Sequence, residues 1–395
     1  METKRIFNGN RDYLYLVLFL VIFINGFESG GYQASLWSIG NTYDLSKTSM
    51  GIFASVELTA TMLAPILLGS WADHTGKKKS IEIMLILQAL ATVWIFLSKS
   101  QTSFLLAVFI VGLTTSALQF ISIAMLADEY PVSHSSKIGY MTSMYALGAF
   151  TAPLIVHWYM EIGFSWRTLF LLLALTSIVA AIGMFTTMEG IRESRSNTTG
   201  EEIEGNGGEF VLLGVVLLAV IMCIYVGFEN GFSFFIDSYL KDELGDSKGK
   251  LALSVFWAVM IPARILVGHF SEHTKKILLG SVIAIPLLTT VIASATDGIS
   301  IILLCIPLGM ASGAIYPSVL TILMNFSGKR TAMATGLITA ATGLGANVFT
   351  AMTGFLVDIF GFRNALVILA SFFMISIISV LQVKHLLIRL GKRKD

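Results

Sequence analysis

The sequence predicts an all-α membrane protein with twelve transmembrane helices in two six-helix bundles related by pseudo-two-fold symmetry. Of its 395 residues, 55% are hydrophobic and only 13% charged, and the mean hydropathy is +0.78. A soluble domain carries about 25% charged residues, so a bilayer is the expected solvent. The apolar residues form twelve runs of spanning length, and short patterns recur at offsets near half the chain length.

Each apolar run is expected to be a helix, because backbone groups in lipid must be hydrogen-bonded within the spanning segment. A span needs about 20 mostly apolar residues. The first run lacks a convincing cleavage site, so we interpret it as a mature span and not a signal peptide. The predicted spans are 12–37, 48–71, 80–98, 102–127, 138–160, 166–187, 210–236, 251–270, 277–296, 299–325, 332–357 and 364–387.

The longest polar stretch between spans is "EGIRESRSNTTGEEIEGNGGE", at the midpoint of the chain. It predicts an N-terminal bundle at 1–188, a cytoplasmic linker at 189–209 and a C-terminal bundle at 210–395. Most of the 26 lysines and arginines fall in the loops on one side, together with both termini. The positive-inside rule therefore predicts a multi-pass protein of the cell (inner or plasma) membrane with both termini cytoplasmic.

The two halves of the chain repeat one another in sequence. Two bundles related by an axis along the membrane normal are an architecture of transporters. The clearest echoes are "GFESG" at 26–30 with "GFENG" at 227–231, "LGA" at 147–149 with "LGA" at 344–346, and "GSWADHTGKKK" at 69–79 with "GHFSEHTKK" at 268–276.

Three glutamates lie deep within predicted spans, where an ionisable side chain costs about 2.5–3.5 kcal/mol, and a fourth, Glu82, stands near the cytoplasmic end of the third span. Glu28 and Glu229 occupy the same place in the two echoed pentapeptides. We expect Glu229, Glu28 and Glu57 to take part in proton coupling, with Glu229 as the main site. Asp237 and Asp358 stand at outer helix ends, where solvation is a sufficient explanation of their charge.

Polar and aromatic side chains at helical spacing predict a solute pathway. Arg264 is the only arginine in the interior of a predicted span and is expected to reach back to the cytoplasmic interface. This shortage of cations disfavours anionic solutes and favours a neutral polyol, with an organic cation as the alternative. Packing is the alternative role for any one of these residues. The predicted substrate-binding residues are Asn25, Glu28, Tyr32, Gln119, Tyr145, Phe232, Tyr316 and Asn347.

The segment "GSWADHTGKKK" resembles the signature between helices 2 and 3 of the major facilitator superfamily. Gly69, Asp73, Gly76, Lys77 and Lys78 match its pattern. The resemblance implies two six-helix bundles around a cavity that opens alternately to each side, with this motif as part of a gate. It also implies that the aspartate caps the start of helix 11, and the glycine is expected to let a neighbouring helix approach closely.

Two further resemblances bear on the direction of transport. Gly139, Gly148 and Pro153 in helix 5 resemble the motif of proton-driven exporters, although Ala152 stands where that motif has glycine. "YVGFENGFSFFIDSYL", at 225–240, is similar to helix 7 of the fucose/glucose-type sugar permeases. The resemblance in helix 7 favours a sugar-like solute, and we expect proton-coupled uptake of a small neutral solute such as a sugar. The alternative is a proton antiporter that exports a drug-like compound or metabolite.

An enzyme is not expected, because the six histidines are scattered without ligand spacing and no nucleotide-binding loop is found. The two cysteines, Cys223 and Cys305, are expected to be small core residues. The expected partners are the lipid bilayer, protons and a small-molecule substrate. We expect a monomer that binds no nucleic acid, cofactor or metal.

Overall fold

The structure is a computed structural model, and the residues that it describes are almost entirely helical, with no strand among them. The all-α fold class predicted from the apolar runs is therefore confirmed. The predicted linker, 189–209, lies outside the described residues. The described ranges are 2–129, 134–187, 210–270, 273–328 and 331–391.

Helices α1 to α12 follow the predicted spans along the chain. Ten stretches of the described residues are long and apolar enough to cross a membrane, and one of them, Ala334–Arg389, contains the last two predicted spans. The helices are Glu2–Tyr43, Lys47–Thr75, Lys77–Leu97, Gln101–Glu129, His134–Glu161, Thr168–Thr186, Leu212–Ser238, Gly249–His269, Thr274–Ser294, Gly298–Ser327, Thr331–Ser371 and Phe373–Gly391.

Two glycines with positive φ mark sharp changes of direction. Gly361, inside α11, has a φ of 76° and a ψ of 166°, so α11 is two helices joined at this residue. The twelfth predicted span therefore begins within the end of α11 and continues into α12. Gly76, with a φ of 90°, is the single residue between α2 and α3. Glycine suits both positions because it has no Cβ to resist positive φ.

The chain divides into two compact units. The first unit contains Met1–Asp44 and Val56–Ser196, and the second contains Leu45–Ser55 and Asn197–Asp395. In the first unit α1 packs against α5, and α3 packs against α4 and α6. In the second unit α7 packs against α11, and α10 packs against α8 and α9. The bundle boundaries at 188 and 210 stay a prediction from the linker sequence.

Candidate functional site

The glycines of "GFESG" pack α1 against α5 in the first unit. A Cβ on Gly26 would lie 1.9 Å from the carbonyl oxygen of Tyr145, and Gly30 meets the next turn of α5 in the same way. On α5, Gly148 in turn lies against the backbone of α1. Residues four apart lie on one helix face, and glycines there let two backbones touch. Glu28 stands between the two glycines of α1, about 200° around the helix, and so lies away from α5.

A second carboxyl group, that of Glu57 in α2, lies within electrostatic range of Glu28. Gly112 of α4 fixes this part of α2, since a Cβ on it would lie 2.6 Å from the Glu57 carbonyl oxygen. The two glutamates are 1% and 4% exposed. Within the described chain, neither Oε2 atom has a hydrogen-bond partner and neither carboxyl has a cation against it. The first unit therefore holds an acidic pair without a counter-charge.

A buried hydrogen-bond network lies beside the acidic pair and joins four helices. The Asn25 amide donates to the Thr115 carbonyl oxygen at 2.9 Å. Gln88 donates to the Thr115 hydroxyl and accepts from Ser177, each at 3.1 Å. Gln88 is absent from the predicted site residues, although a lone glutamine in the apolar run "LILQALATV" is a signal for such a network.

The second unit repeats this helix crossing with α7 and α11. A Cβ on Gly227 of "GFENG" would lie 2.6 Å from the Phe349 ring, and one on Gly345 would lie 2.0 Å from the Cys223 carbonyl oxygen. Gly345 belongs to the second "LGA", as Gly148 belongs to the first. The echoed sequences therefore encode the same helix packing in each unit.

The crossing of α2 and α4 also has an equivalent in the second unit, where α10 packs on α8. A Cβ on Gly309 would lie 2.6 Å from the Phe256 carbonyl oxygen, just as Gly112 lies against Glu57. Gly112 and Gly309 are separated by the same offset as the two "LGA" sequences. The second unit thus has a phenylalanine at the position that matches Glu57.

Glu229, the equivalent of Glu28, lies in a different electrostatic environment. The Tyr225 hydroxyl donates a hydrogen bond to its Oε2 atom. Arg264 of α8 hydrogen-bonds that hydroxyl in turn and lies within electrostatic range of the glutamate. The three side chains form a chain from a guanidinium through a phenol to a carboxyl group, and the guanidinium favours the charged form of that carboxyl.

The prediction that Arg264 reaches back to the cytoplasmic interface is wrong. Its side chain hydrogen-bonds Tyr225 instead, because a buried carboxylate and phenol offer the guanidinium acceptors inside the unit. Its Nε atom is closed off from solvent and has no partner among the described residues. Tyr316 of α10 also lies within electrostatic range of Arg264, and its ring is 40% exposed.

Two of the other predicted substrate-binding residues lie in aromatic clusters. Tyr32 is 1% exposed, and its ring centroid lies 6.4 Å from those of Phe104 and Phe170. Phe232 is buried, with its ring centroid 5.2 Å from that of Phe256. Both residues therefore contribute to the packing of their own unit.

The remaining predicted substrate-binding residues are more accessible. Gln119 and Tyr145 are half-buried, in α4 and α5 respectively. Asn347 is engaged with the first turns of α2. Its amide donates to the Ser55 carbonyl oxygen, and the Ser55 hydroxyl donates to the Asn347 carbonyl oxygen, both at 3.0 Å.

The predicted gating motif is only partly described. The side chain of Asp73 and the residues 329–330 before α11 lie outside the described residues, so the helix-capping role stays a prediction. A Cβ on Gly69 would meet no described atom within 4 Å, and the predicted close helix approach at this glycine stays a prediction. Lys77 begins α3, and Lys78 donates to the Thr187 carbonyl oxygen at the end of α6. Lys78 thereby anchors the carboxyl end of α6.

Solvation does not explain the charge of Asp237, so the expectation is wrong for this residue, whereas Asp358 is exposed as expected. Asp237 is 1% exposed, and its Oδ2 atom contacts Lys250 at 2.8 Å and Lys241 at 3.0 Å. Asp358 accepts hydrogen bonds from the backbone of Lys47 at 3.0 Å and of the next residue at 2.7 Å. It therefore caps the start of α2, whose first turns belong to the second unit.

The family model of the Major Facilitator Superfamily matches residues 18–333. The chain belongs to this superfamily. Its proteins are transporters and not enzymes, so the expected class of protein is confirmed.

Two curated relatives differ in what their names describe. The chain is 20% identical to the glucose/mannose transporter GlcP of Bacillus subtilis (strain 168) over 307 residues, which cover 75% of each chain. It is 24% identical to the multidrug resistance protein MdtL of Escherichia coli (strain K12 / DH10B) over 252 residues, which cover 62% of this chain and 64% of the relative.

Solved structures share the fold at low sequence identity. A bacterial homologue of the human lysosomal transporter Spinster, in an inward-facing and unoccupied conformation, matches with a TM-score of 0.82 and 16% identity, over 95% of this chain and 97% of its own. The D-xylose–proton symporter matches with a TM-score of 0.74 and 14% identity, over 94% and 96%. At these identities the likeness shows the fold alone.

Proposed function

We propose that this chain is a secondary active transporter that couples the uptake of a small neutral polar solute, such as a sugar, to protons by alternating access. The observation that carries the proposal is the acidic pair Glu28 and Glu57, which lies buried in the first unit without a counter-charge among the described residues. The names of two similar proteins, a glucose/mannose transporter and a D-xylose–proton symporter, support the class of solute. We further propose that both termini are cytoplasmic, from the distribution of lysine and arginine.

Two carboxyl groups in a dry environment resist joint ionisation, because burial and like charge both favour the protonated form. The pair can therefore hold a proton and release it when hydration of the site changes. Glu229 is the poorer candidate, although its sequence context favours it. Burial disfavours ionisation of Glu229 as well, but the guanidinium at the end of its hydrogen-bond chain opposes that effect, and Glu28 and Glu57 have no such cation among the described residues. We therefore assign the coupling proton to Glu28 and Glu57.

The alternative is a proton antiporter that exports a drug-like compound or metabolite. The relationship to a multidrug resistance protein and the glycine- and proline-containing helix α5 support it. An exporter and an importer use the same acidic pair in opposite coupling directions. The direction of coupled movement therefore distinguishes the two functions.

Proteoliposomes test both functions in one assay. With an acidic exterior, wild-type protein should accumulate labelled D-glucose, D-mannose or D-xylose above equilibrium. Glu57→Gln should abolish accumulation and retain sugar exchange, because the amide mimics a permanently protonated carboxyl. Glu229→Gln, the matched control, should retain a response to the pH gradient at saturating sugar. The reverse pattern would move the proton site to Glu229, and protein-dependent extrusion of ethidium without sugar uptake would favour the exporter.

A further inference from the structure

The side chains around Arg264 in the second unit have hydrogen-bonding capacity that the helix packing does not use. Arg264 donates to Tyr225, which donates to Glu229, yet the Arg264 Nε atom has no partner in the described chain and no solvent access. A buried N–H donor without an acceptor is energetically unfavourable, because it loses its hydrogen bonds to water without replacement. Such an atom therefore points to an acceptor that arrives with a ligand.

The packing of α8 on α10 brings an aromatic ring to the same place. A Cβ on Gly313 would lie 2.8 Å from the Met260 carbonyl oxygen and 2.9 Å from the Ala263 side chain. Arg264 and Tyr316 each stand about one turn further along these two helices. The Tyr316 ring is the partly exposed member of the group, whereas Tyr225 is 1% exposed. The hydrogen-bond donor Arg264 thus comes from α8, the acceptor Glu229 from α7 and the Tyr316 ring from α10.

We propose that Arg264, Glu229 and Tyr316 form a binding site for a neutral polyhydroxyl solute, a proposal that rests on the proposed transport function. The charge of the site decides the class of solute. Glu229 already compensates the guanidinium through Tyr225, so no net positive charge remains for an anion. A hydroxyl group can accept from the Arg264 Nε–H and donate to the Glu229 carboxylate, and the apolar face of a sugar ring can lie on Tyr316.

The test is a change of selectivity in a predictable direction. Binding of D-glucose, D-mannose, D-xylose and the acidic analogue D-glucuronate is measured on purified protein without a pH gradient. The wild type should bind at least one neutral sugar more tightly than D-glucuronate. Glu229→Gln leaves Arg264 without compensation, and should shift the ratio of the two affinities toward D-glucuronate by about 10- to 100-fold.

Two further variants distinguish an effect of charge on binding from an effect of misfolding. The double variant Glu229→Gln/Arg264→Gln restores the charge balance and should remove the shift toward D-glucuronate. Arg264→Lys keeps the charge but lacks the Nε–H, and should weaken binding of the neutral sugar about tenfold. Arg363→Gln, which removes an arginine paired with Glu243 at 3.0 Å, is the matched control and should bind as the wild type does.

Several outcomes would overturn the site. They are no wild-type binding of the three neutral sugars, an unchanged affinity ratio in Glu229→Gln, or equal binding in Arg264→Lys and the wild type. Because no gradient is applied, these results are independent of proton coupling. Selective binding without gradient-driven accumulation would contradict the proposed coupling and leave the binding site standing.

Discussion

The two units of the molecule treat buried charge differently. In the first, Glu28 and Glu57 lie near each other, and no cation of the described part of the chain contacts them. In the second, Glu229 is linked through a tyrosine to Arg264, and Asp237 contacts two lysines. The glycines at the helix crossings are repeated in both units, whereas the arrangement of charged side chains is not. Packing is therefore the part of the repeat that both units need, whereas the charge has specialised in each.

This contrast separates two uses of a buried acid. A paired carboxylate holds helices together, and its loss leaves the partner charge buried and uncompensated. An unpaired carboxyl is tolerated only in its neutral form, and so is free to exchange a proton. Equivalent substitutions in the two units should consequently have unequal effects on stability.

The largest difference is expected between Asp237→Asn and Glu28→Gln. The first leaves Lys250, with a side chain 3% exposed, without its carboxylate, and should lower the free energy of unfolding by about 3–5 kcal/mol. The second replaces a neutral carboxyl by an amide of the same shape, and should cost less than about 1 kcal/mol. Thermal unfolding in detergent measures both. Equal losses would contradict the contrast between the units.

A smaller and equal effect is expected from alanine at the two "LGA" glycines. A Cβ on Gly148 would lie 2.2 Å from the Phe23 carbonyl oxygen, and Gly345 is as crowded. Each substitution should cost about 1–3 kcal/mol by overpacking. Gly336→Ala, in open space on α11, is the control and should be neutral or stabilising. A loss confined to one unit would show that the crossings are not equivalent.

The smallest effect is expected at an exposed acid of the second unit. Asp297 caps α10, and hydrogen bonds from the backbone and hydroxyl of Ser300 lower the pKa of its carboxyl below the ordinary value. A lowered folded-state pKa adds stability above the unfolded-state pKa of about 3.9 that is lost as pH falls through the folded value. Asp297→Asn should therefore flatten the pH dependence of the melting temperature below about pH 4. An unchanged profile would contradict this contribution of the cap.

The local sequence was sufficient to predict the helices and the internal repeat. Runs of apolar residues have one stable form in lipid, so the spans could be read directly. The echoed "GFESG" and "GFENG" also indicated equivalent positions for Glu28 and Glu229. The break at Gly361 was expressed only as a short gap between two predicted spans.

The partners of buried charges could not be predicted in the same way. Glu57 and Glu28 are 29 residues apart and meet only because Gly112 sets the position of α2. The predicted direction of the Arg264 side chain was wrong because that direction depends on hydrogen-bond acceptors in another helix. Such contacts follow from helix crossings, which a hydropathy pattern does not contain.

A five-residue π-helical turn, Tyr239–Glu243, continues α7 at its carboxyl end. A π-helical turn accommodates one residue more than an α-helical turn of the same length. The number of residues in this stretch is therefore constrained. Deleting one residue here would restore α-helical geometry but rotate everything after it by about 100°. Lys250 and the start of α8 would then be misaligned with Asp237. Relatives that keep Asp237, Lys241 and Lys250 should therefore tolerate substitutions at the other positions of this turn far better than a change in its length.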